Sequence, residues 1–252
     1  MILIPNFSVD LSIHDVIYVS YLLPESRVRA LIPANLDPAI VTDGNIFVSV
    51  VALRNKYVRL SGLPFINFSY NQINLRTYVL DPETRKIGVF FLRSGITSKL
   101  IAVFTNLLKI PWENIRFDIK ASKDDNGRYV KYTVKGTWGE EICIEAQEET
   151  QEAKSIHTFE NQENVIEYIT GGTIGFFTVP GELLRFEVRH SVIEPRFGNV
   201  SHINLPIFTS SGILTEEEIL TPHNVLLAHS GKFRVFLPPE HTKLPTAHRQ
   251  TS

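Results

Sequence analysis

The sequence predicts an α+β fold: a mostly antiparallel β-sheet, curled or closed into a barrel or cone, with flanking helices. Three observations lead there. Strand-like segments outnumber helical ones along the 252 residues. They are not interleaved with helices at the regular spacing of a doubly wound parallel sheet. Within residues 72–80, Gln72, Asn74, Arg76 and Tyr78 alternate with Ile73, Leu75, Thr77 and Val79, so period 2 puts four hydrogen-bonding side chains on one face. An ordinary core strand has no use for such a face. It is either solvated or lines a wet pocket inside a curved or closed sheet.

The elements follow in chain order. Residues 17–22 read as a first strand, and Pro24-Glu25 opens a short helix running to about Ile32, after which Pro33 and Pro38 fence a turn. The turn residues Asp43-Gly44 lead into residues 47–53, whose nearly continuous apolar run suits a strand buried on both sides, ending at the polar Arg54 and Asn55. The strand 72–80 joins 87–92 through Asp81-Pro82-Glu83. Thr97 or Ser98 then starts a helix over 99–108, in which Leu100, Val103, Phe104, Leu107 and Leu108 recur at helical spacing and are expected to form a buried stripe; Pro111 closes it. Strands 115–121 and 129–135 flank the hairpin turn Asp124-Asp125-Asn126-Gly127, and 142–146 adds another. A polar loop is expected over 147–155 and a short helix over 161–168 before Gly171-Gly172. Residues 176–179, 183–192 and 232–237 supply the last strands. A single domain over 1–240, with a flexible tail over 241–252, is the simplest organisation.

Composition narrows the function classes. With 25 Lys plus Arg against 27 Asp plus Glu, the chain carries no global field for nucleic acid or an anionic membrane. The apolar runs fall short of a membrane span, and the amino terminus lacks a basic start and a long apolar run, which sets cytoplasmic residence as the expectation. Cys143, the one cysteine, rules out an intramolecular disulfide. The histidines at 14, 157, 190, 202, 223, 229, 241 and 248 include no His-x-x-x-His pair, so no metal site is expected. There is no phosphate-binding loop, dinucleotide fingerprint or Gly-x-Ser-x-Gly elbow, and no cofactor is implied.

Among individual residues, Arg76 is the foremost candidate for ligand contact, because its planar fork binds a carboxylate or phosphate through paired hydrogen bonds; the alternative is an internal salt bridge or a solvated face. Gln72, Asn74 and Tyr78 share its face and its alternatives. Trp112 can wall a cavity while donating one hydrogen bond, or simply pack under the sheet edge. On the later strand Arg185, Glu187 and Arg189 alternate with Leu184, Phe186 and Val188, which reads as a solvated face. His190 and Glu187 are the acid/base candidates, against structural roles for both.

Several of these residues also carry a family resemblance. Val19-Ser20-Tyr21 with Pro24-Glu25 and Leu31-Ile32-Pro33, then residues 74–79, Gly88-Val89-Phe90-Phe91, Ile110-Pro111-Trp112, His157-Thr158-Phe159 and 184–190 together resemble the DUF2071 (YqjF-like) family, placed in the acetoacetate decarboxylase-like superfamily. The resemblance implies an antiparallel barrel or cone with a central pocket. It also implies a comparison with the decarboxylases, where a lysine after a Gly-aromatic-Pro turn forms a Schiff base with a β-keto acid. Here the matching turn reads Ile110-Pro111-Trp112-Glu113-Asn114, with no lysine, and Gln72 stands where the superfamily has a catalytic glutamate. The nearby amines, Lys99 and Lys109, are expected to keep their heads in water. The resulting reading is a protein that binds a small acidic or polar organic ligand in a central pocket without Schiff-base decarboxylation. Its alternatives are an enzyme pairing Arg76 with His190 or Glu187, and a structural or protein-interaction role; a homodimer is compatible with any of them.

Overall fold

The structure, a computed structural model, describes residues 7–61, 63–149 and 162–244. The segment His157-Thr158-Phe159, most of the expected loop 147–155 and residues 245–252 lie outside them. The described strands are β1 (Phe7–Pro24), β2 (Asp37–Pro38), β3 (Asn45–Leu60), β4 (Leu63–Leu80), β5 (Ile87–Ile96), β6 (Trp112–Asn114), β7 (Arg116–Lys123), β8 (Tyr129–Trp138), β9 (Glu140–Glu148), β10 (Ile174–Val179), β11 (Glu182–His190), β12 (Arg196–Asn204), β13 (Asn224–Leu237) and β14 (Glu240–Lys243). They form one sheet in the order β14-β11-β10-β5-β4-β3-β1-β13-β12-β9-β8-β7; β2 pairs with β4, β6 with β5, and β11 also with β13. Only the β5 pairings with β10 and β6 are parallel. The fold is therefore α+β and dominated by antiparallel strands, as expected. No helix among the described residues is long and apolar enough to cross a membrane.

Several strands exceed the sequence expectation. Strand β1 begins at Phe7 because Phe7, Val9, Leu11 and Ile13 alternate with Ser8, Asp10, Ser12 and His14, a period-2 pattern running along the partner β13. Strand β3 continues past Asn55 to Leu60. Both carry a bulge. One extra residue in β1 lies between His14 and Ile17, where Asp15 adopts φ +46°, and one in β3 lies between Asn55 and Val58, where Tyr57 adopts φ +54°. An extra residue reverses which side of the strand later side chains face. Consequently Val9, Leu11 and Ile13 share a side with Tyr18, and Val51, Leu53 and Asn55 share one with Val58 and Leu60. Asp15 is held at its bulge by ion pairs to Arg54 at 3.1 Å and Lys123 at 3.5 Å, and by the Tyr129 hydroxyl at 2.9 Å.

The centre of β3 is buried on both sides, as its apolar run predicts. Val48, Val50 and Ala52 join a core shared with Ile119, Val134 and Ile144 of β7–β9, while Phe47, Val51 and Leu53 pack with Tyr78, Val165 and Ile169. Among the described residues three helices flank the sheet: α1 (Lys99–Leu107), α2 (Gln162–Thr170) and α3 (Pro206–Ser210). The helix expected after Pro24 resolves into two 3-10 turns, Glu25–Arg27 and Arg29–Leu31. Ser98 caps α1 as expected, its side chain accepting a hydrogen bond from the Ile101 N–H. The buried face of α1 differs from the expectation. Leu100, Val103 and Leu107 are 62%, 60% and 76% exposed, whereas Ile101, Ala102 and Thr105 are buried. Thr105 tolerates burial because its hydroxyl donates to the Ile101 carbonyl at 3.0 Å. The helix carries apolar residues on two faces, and spacing alone does not choose between them.

Two further expectations are corrected. His241, Thr242 and Lys243, assigned to the tail, belong to β14 and pair with β11. Arg185, read as part of a solvated face, is buried. Its Nε and Nη2 donate to Asp81 Oδ1 and Oδ2 at 3.1 and 3.2 Å, and its Nη1 reaches Glu240 at 3.1 Å. Alternation places Arg185 with Glu187, but the β4–β5 turn and β14 cover it. Thr84 donates to the same Asp81 carboxylate through its backbone N–H and hydroxyl. Burial pushes the Asp81 carboxyl upward, but the hydrogen bonds and charge from Arg185, with Thr84, outweigh it and hold the pKa below its ordinary value.

Breaking this pair strands a buried charge, so Arg185→Leu should lower the unfolding free energy by about 3–5 kcal/mol. The readout is the urea midpoint at unchanged m-value, and a loss below about 1 kcal/mol would contradict the assignment. Because the folded pKa of Asp81 is depressed, its stabilisation is present above the unfolded carboxyl value and lost as pH falls from about 4 downward. The acid branch of a pH–stability curve should therefore be shallower in Asp81→Asn than in the unaltered protein.

Candidate functional site

Strand β4 places Phe68, Tyr70, Gln72, Asn74 and Arg76 along one cavity of about 400 Å³. These are five alternate positions, as period 2 requires. Apolar side chains of β1, β3, β5, β10, β11 and β13 make most of the remaining wall, and Ile101, Phe104 and Thr105 of α1 border it. Phe91, Phe177 and Phe186 form a stacked group in that wall, with ring centroids 4.7 to 6.1 Å apart. Gly175 makes room for it, since a Cβ there would fall 2.1 Å from the Phe186 ring.

The polar groups form a stripe. Asn55 Nδ2 donates to Gln72 Oε1 at 2.9 Å, and Gln72 Nε2 donates to Asn74 Oδ1 at 3.0 Å. Beyond Asn74 comes Arg76, whose Nη2 donates to the Ile169 carbonyl at 2.7 Å and to the Tyr78 hydroxyl at 3.1 Å. Ile169 lies in the last turn of α2, whose carbonyls lack intrahelical partners and carry partial negative charge. The guanidinium also sits 5.3 Å from the centre of the Tyr18 ring and 5.4 Å from that of Tyr78. Among the described residues no carboxylate pairs with it. Its Nε is buried without a hydrogen-bond partner, and so is Trp112 Nε1.

The structure thus brings Gln72, Asn74, Arg76 and Trp112 to one cavity. Tyr78 is fully buried beside Arg76, packed on Tyr168 at 5.0 Å, and is not part of the lining. Glu187 and His190 are not in the lining either. Glu187 is exposed and lies 3.8 Å from Arg185, while His190 stacks on Phe233 at 4.8 Å with Nδ1 2.8 Å from the Ser191 carbonyl. A strand's polar alternation does not say which of its residues reach a cavity on the opposite wall, and these two do not. Lys99 is exposed, and Lys109 is exposed and 3.5 Å from Glu182; neither lines the cavity. Sequence reasoning missed Asn55, Tyr70 and Thr105. For Asn55 the signal was present: Val51, Leu53 and Asn55 continue one alternation.

Chemically, the described lining offers one fixed positive charge, a chain of amides and several N–H and O–H groups, with no carboxylate, imidazole or amine. Tyr18 stays protonated, because burial pushes its pKa up to about 12 against the opposing pull of Arg76. The site is equipped to hold an anionic or polar group rather than to shuttle a proton at neutral pH.

Solved structures share this architecture at low identity. The enduracididine biosynthesis enzyme MppR complexed with pyruvate is 12% identical with a TM-score of 0.58, over 96% of this chain and 91% of that one. An acetoacetate decarboxylase-like enzyme from Sphingomonas wittichii RW1 is 12% identical with a TM-score of 0.55, over 94% of both chains. The acetoacetate decarboxylase of Legionella pneumophila is 11% identical with a TM-score of 0.53, over 95% of this chain and 88% of that one. No curated protein matches the chain. The fold is thus shared with the acetoacetate decarboxylase-like superfamily, and a family model matching residues 11–231 places the chain in DUF2071, described as an uncharacterized conserved protein.

Proposed function

We propose that the protein binds a small organic ligand with an acidic or polar group in this cavity and does not perform Schiff-base decarboxylation. The observation that carries the reading is Arg76: a guanidinium at an apolar cavity, without a carboxylate partner among the described residues and with its Nε buried without a hydrogen-bond partner. An unpaired cation in low-dielectric surroundings is costly, and an anion delivered to it recovers that cost through charge-assisted hydrogen bonds. The fold supports a central pocket. Pairings run from β11 through β10, β5, β4, β3, β1 and β13, and β13 pairs again with β11 at Val188, Arg189 and His190, which we take as a closed, cone-like barrel over a single domain. The pyruvate complex of MppR is compatible with a ligand of this class, although the likeness carries the fold alone. The same proposal places the protein in the cytoplasm, where its lone Cys143 would stay reduced.

Arg76→Leu should weaken binding of an organic acid by roughly 1.5–3 kcal/mol, the worth of a charged hydrogen-bonded contact. Thermal shift over a panel of organic acids is the first readout, since a ligand that binds only the folded protein raises its melting temperature. A panel without any shift would defeat the proposal, and an Arg76→Leu protein that folds and binds unchanged would move the site elsewhere. Binding should fall as pH drops through the ligand's own carboxyl pKa, where the acid loses its charge.

Incubation with acetoacetate and borohydride should leave the protein mass unchanged. A covalent adduct on Lys99 or Lys109 would overturn the exclusion of Schiff-base chemistry, which requires an amine that these exposed side chains do not bring to the cavity.

A further inference from the structure

The cavity is elongated and polarised end to end. Its β4 wall runs from Phe68 to Arg76, roughly 26 Å at ~3.3 Å per residue. The one charge lies at the Arg76 end, beside the last turn of α2. The other end is bounded by Val58, Leu60, Phe68, Ile101 and Phe104, without a charged side chain among the described lining. Between them the amides of Asn55, Gln72 and Asn74 already bond to one another, which leaves Trp112 Nε1 as the unpartnered polar atom in this part of the described lining. Leu100 and Phe104 both line the cavity and reach solvent, which makes α1 the border where its apolar end meets water.

Resting on the ligand-binding reading above, we infer that the occupant is an apolar-bodied monocarboxylate of medium chain length. Its carboxylate meets the Arg76 guanidinium and its tail lies along β4 towards α1. Capacity supports that length over a short keto acid. A volume of about 400 Å³ exceeds what a short keto acid occupies and lies within the range of pockets that enclose larger organic ligands, roughly 300–1,000 Å³. A molecule the size of pyruvate would fill less than half of it and leave Phe91, Phe177 and Phe186 facing a void, without the contacts that close packing supplies.

Calorimetric titration of the full chain with butanoate, hexanoate, octanoate and decanoate tests the inference. Affinity should rise about fourfold per added methylene across the series, equivalent to ~0.8 kcal/mol. Decanol should bind at least tenfold more weakly than decanoate, and Arg76→Gln should bring decanoate down to the decanol value. The chain-length series and the decanol comparison use the unaltered protein and remain informative if the Arg76 variant fails to fold. A flat chain-length series, or pyruvate binding as tightly as decanoate, overturns this inference and leaves the acidic-ligand proposal standing. Failure of every acid, short or long, overturns both.

Discussion

Asp81 and Arg185 meet in the interior through two parallel hydrogen bonds, and much of the molecule's geometry hangs on that contact. It pins the turn between β4 and β5 to β11, with Glu240 drawing β14 against the same guanidinium. Once β11 is fixed, Phe186 and Val188 stand in the cavity wall and Val188, Arg189 and His190 reach β13. A hydrophobic contact is non-directional and would tolerate sliding of β11; a bidentate ion pair does not. The ladder registers on either side of the cavity are thereby tied to a charged pair that is not itself in the cavity lining.

Two buried or half-buried arginines in one fold make an informative contrast. Arg185 has carboxylates of Asp81, Glu83, Glu187 and Glu240 within 4 Å, and its charge is fully compensated inside the protein. Arg76 has a helix-end carbonyl, a phenol and two aromatic faces, a set that holds the guanidinium still without neutralising it. The first arrangement is what structure requires, and the second is what the proposed ligand binding requires. A group meant to accept an anion must be positioned by neighbours that do not themselves satisfy its charge.

The polar face of β4 was legible because a strand's alternation is local: Gln72, Asn74 and Arg76 needed only the knowledge that period 2 separates two sides. The missing lysine after Pro111 was equally local. What stayed hidden was set by distant partners. Arg185 looked solvated because Asp81 lies 104 residues away in sequence, and Glu187 and His190 shared a promising strand without reaching the cavity. Helix α1 was visible from its cap and its closing proline, but both of its faces are apolar enough to be buried, and the mouth of the cavity decides between them. The first half of β1 could have been found from its strict alternation, whereas the bulges at Asp15 and Tyr57 had no glycine to announce them.

Those bulges have a joint effect. The residue that β3 gains after Asn55 and the one that β1 gains after His14 offset each other, so the two strands are shifted by one position only between them and regain their original alignment at either end. They work as a matched pair of phase shifts. Loss of either residue alone would carry the misalignment along the rest of the ladder, while loss of both would leave the ends aligned but turn Val9, Leu11 and Ile13 of β1 and Val58 and Leu60 of β3 away from the cavity. The wall of the cavity is therefore tied to coordinated steps on adjacent strands, because a change that falls on one strand alone propagates along the ladder.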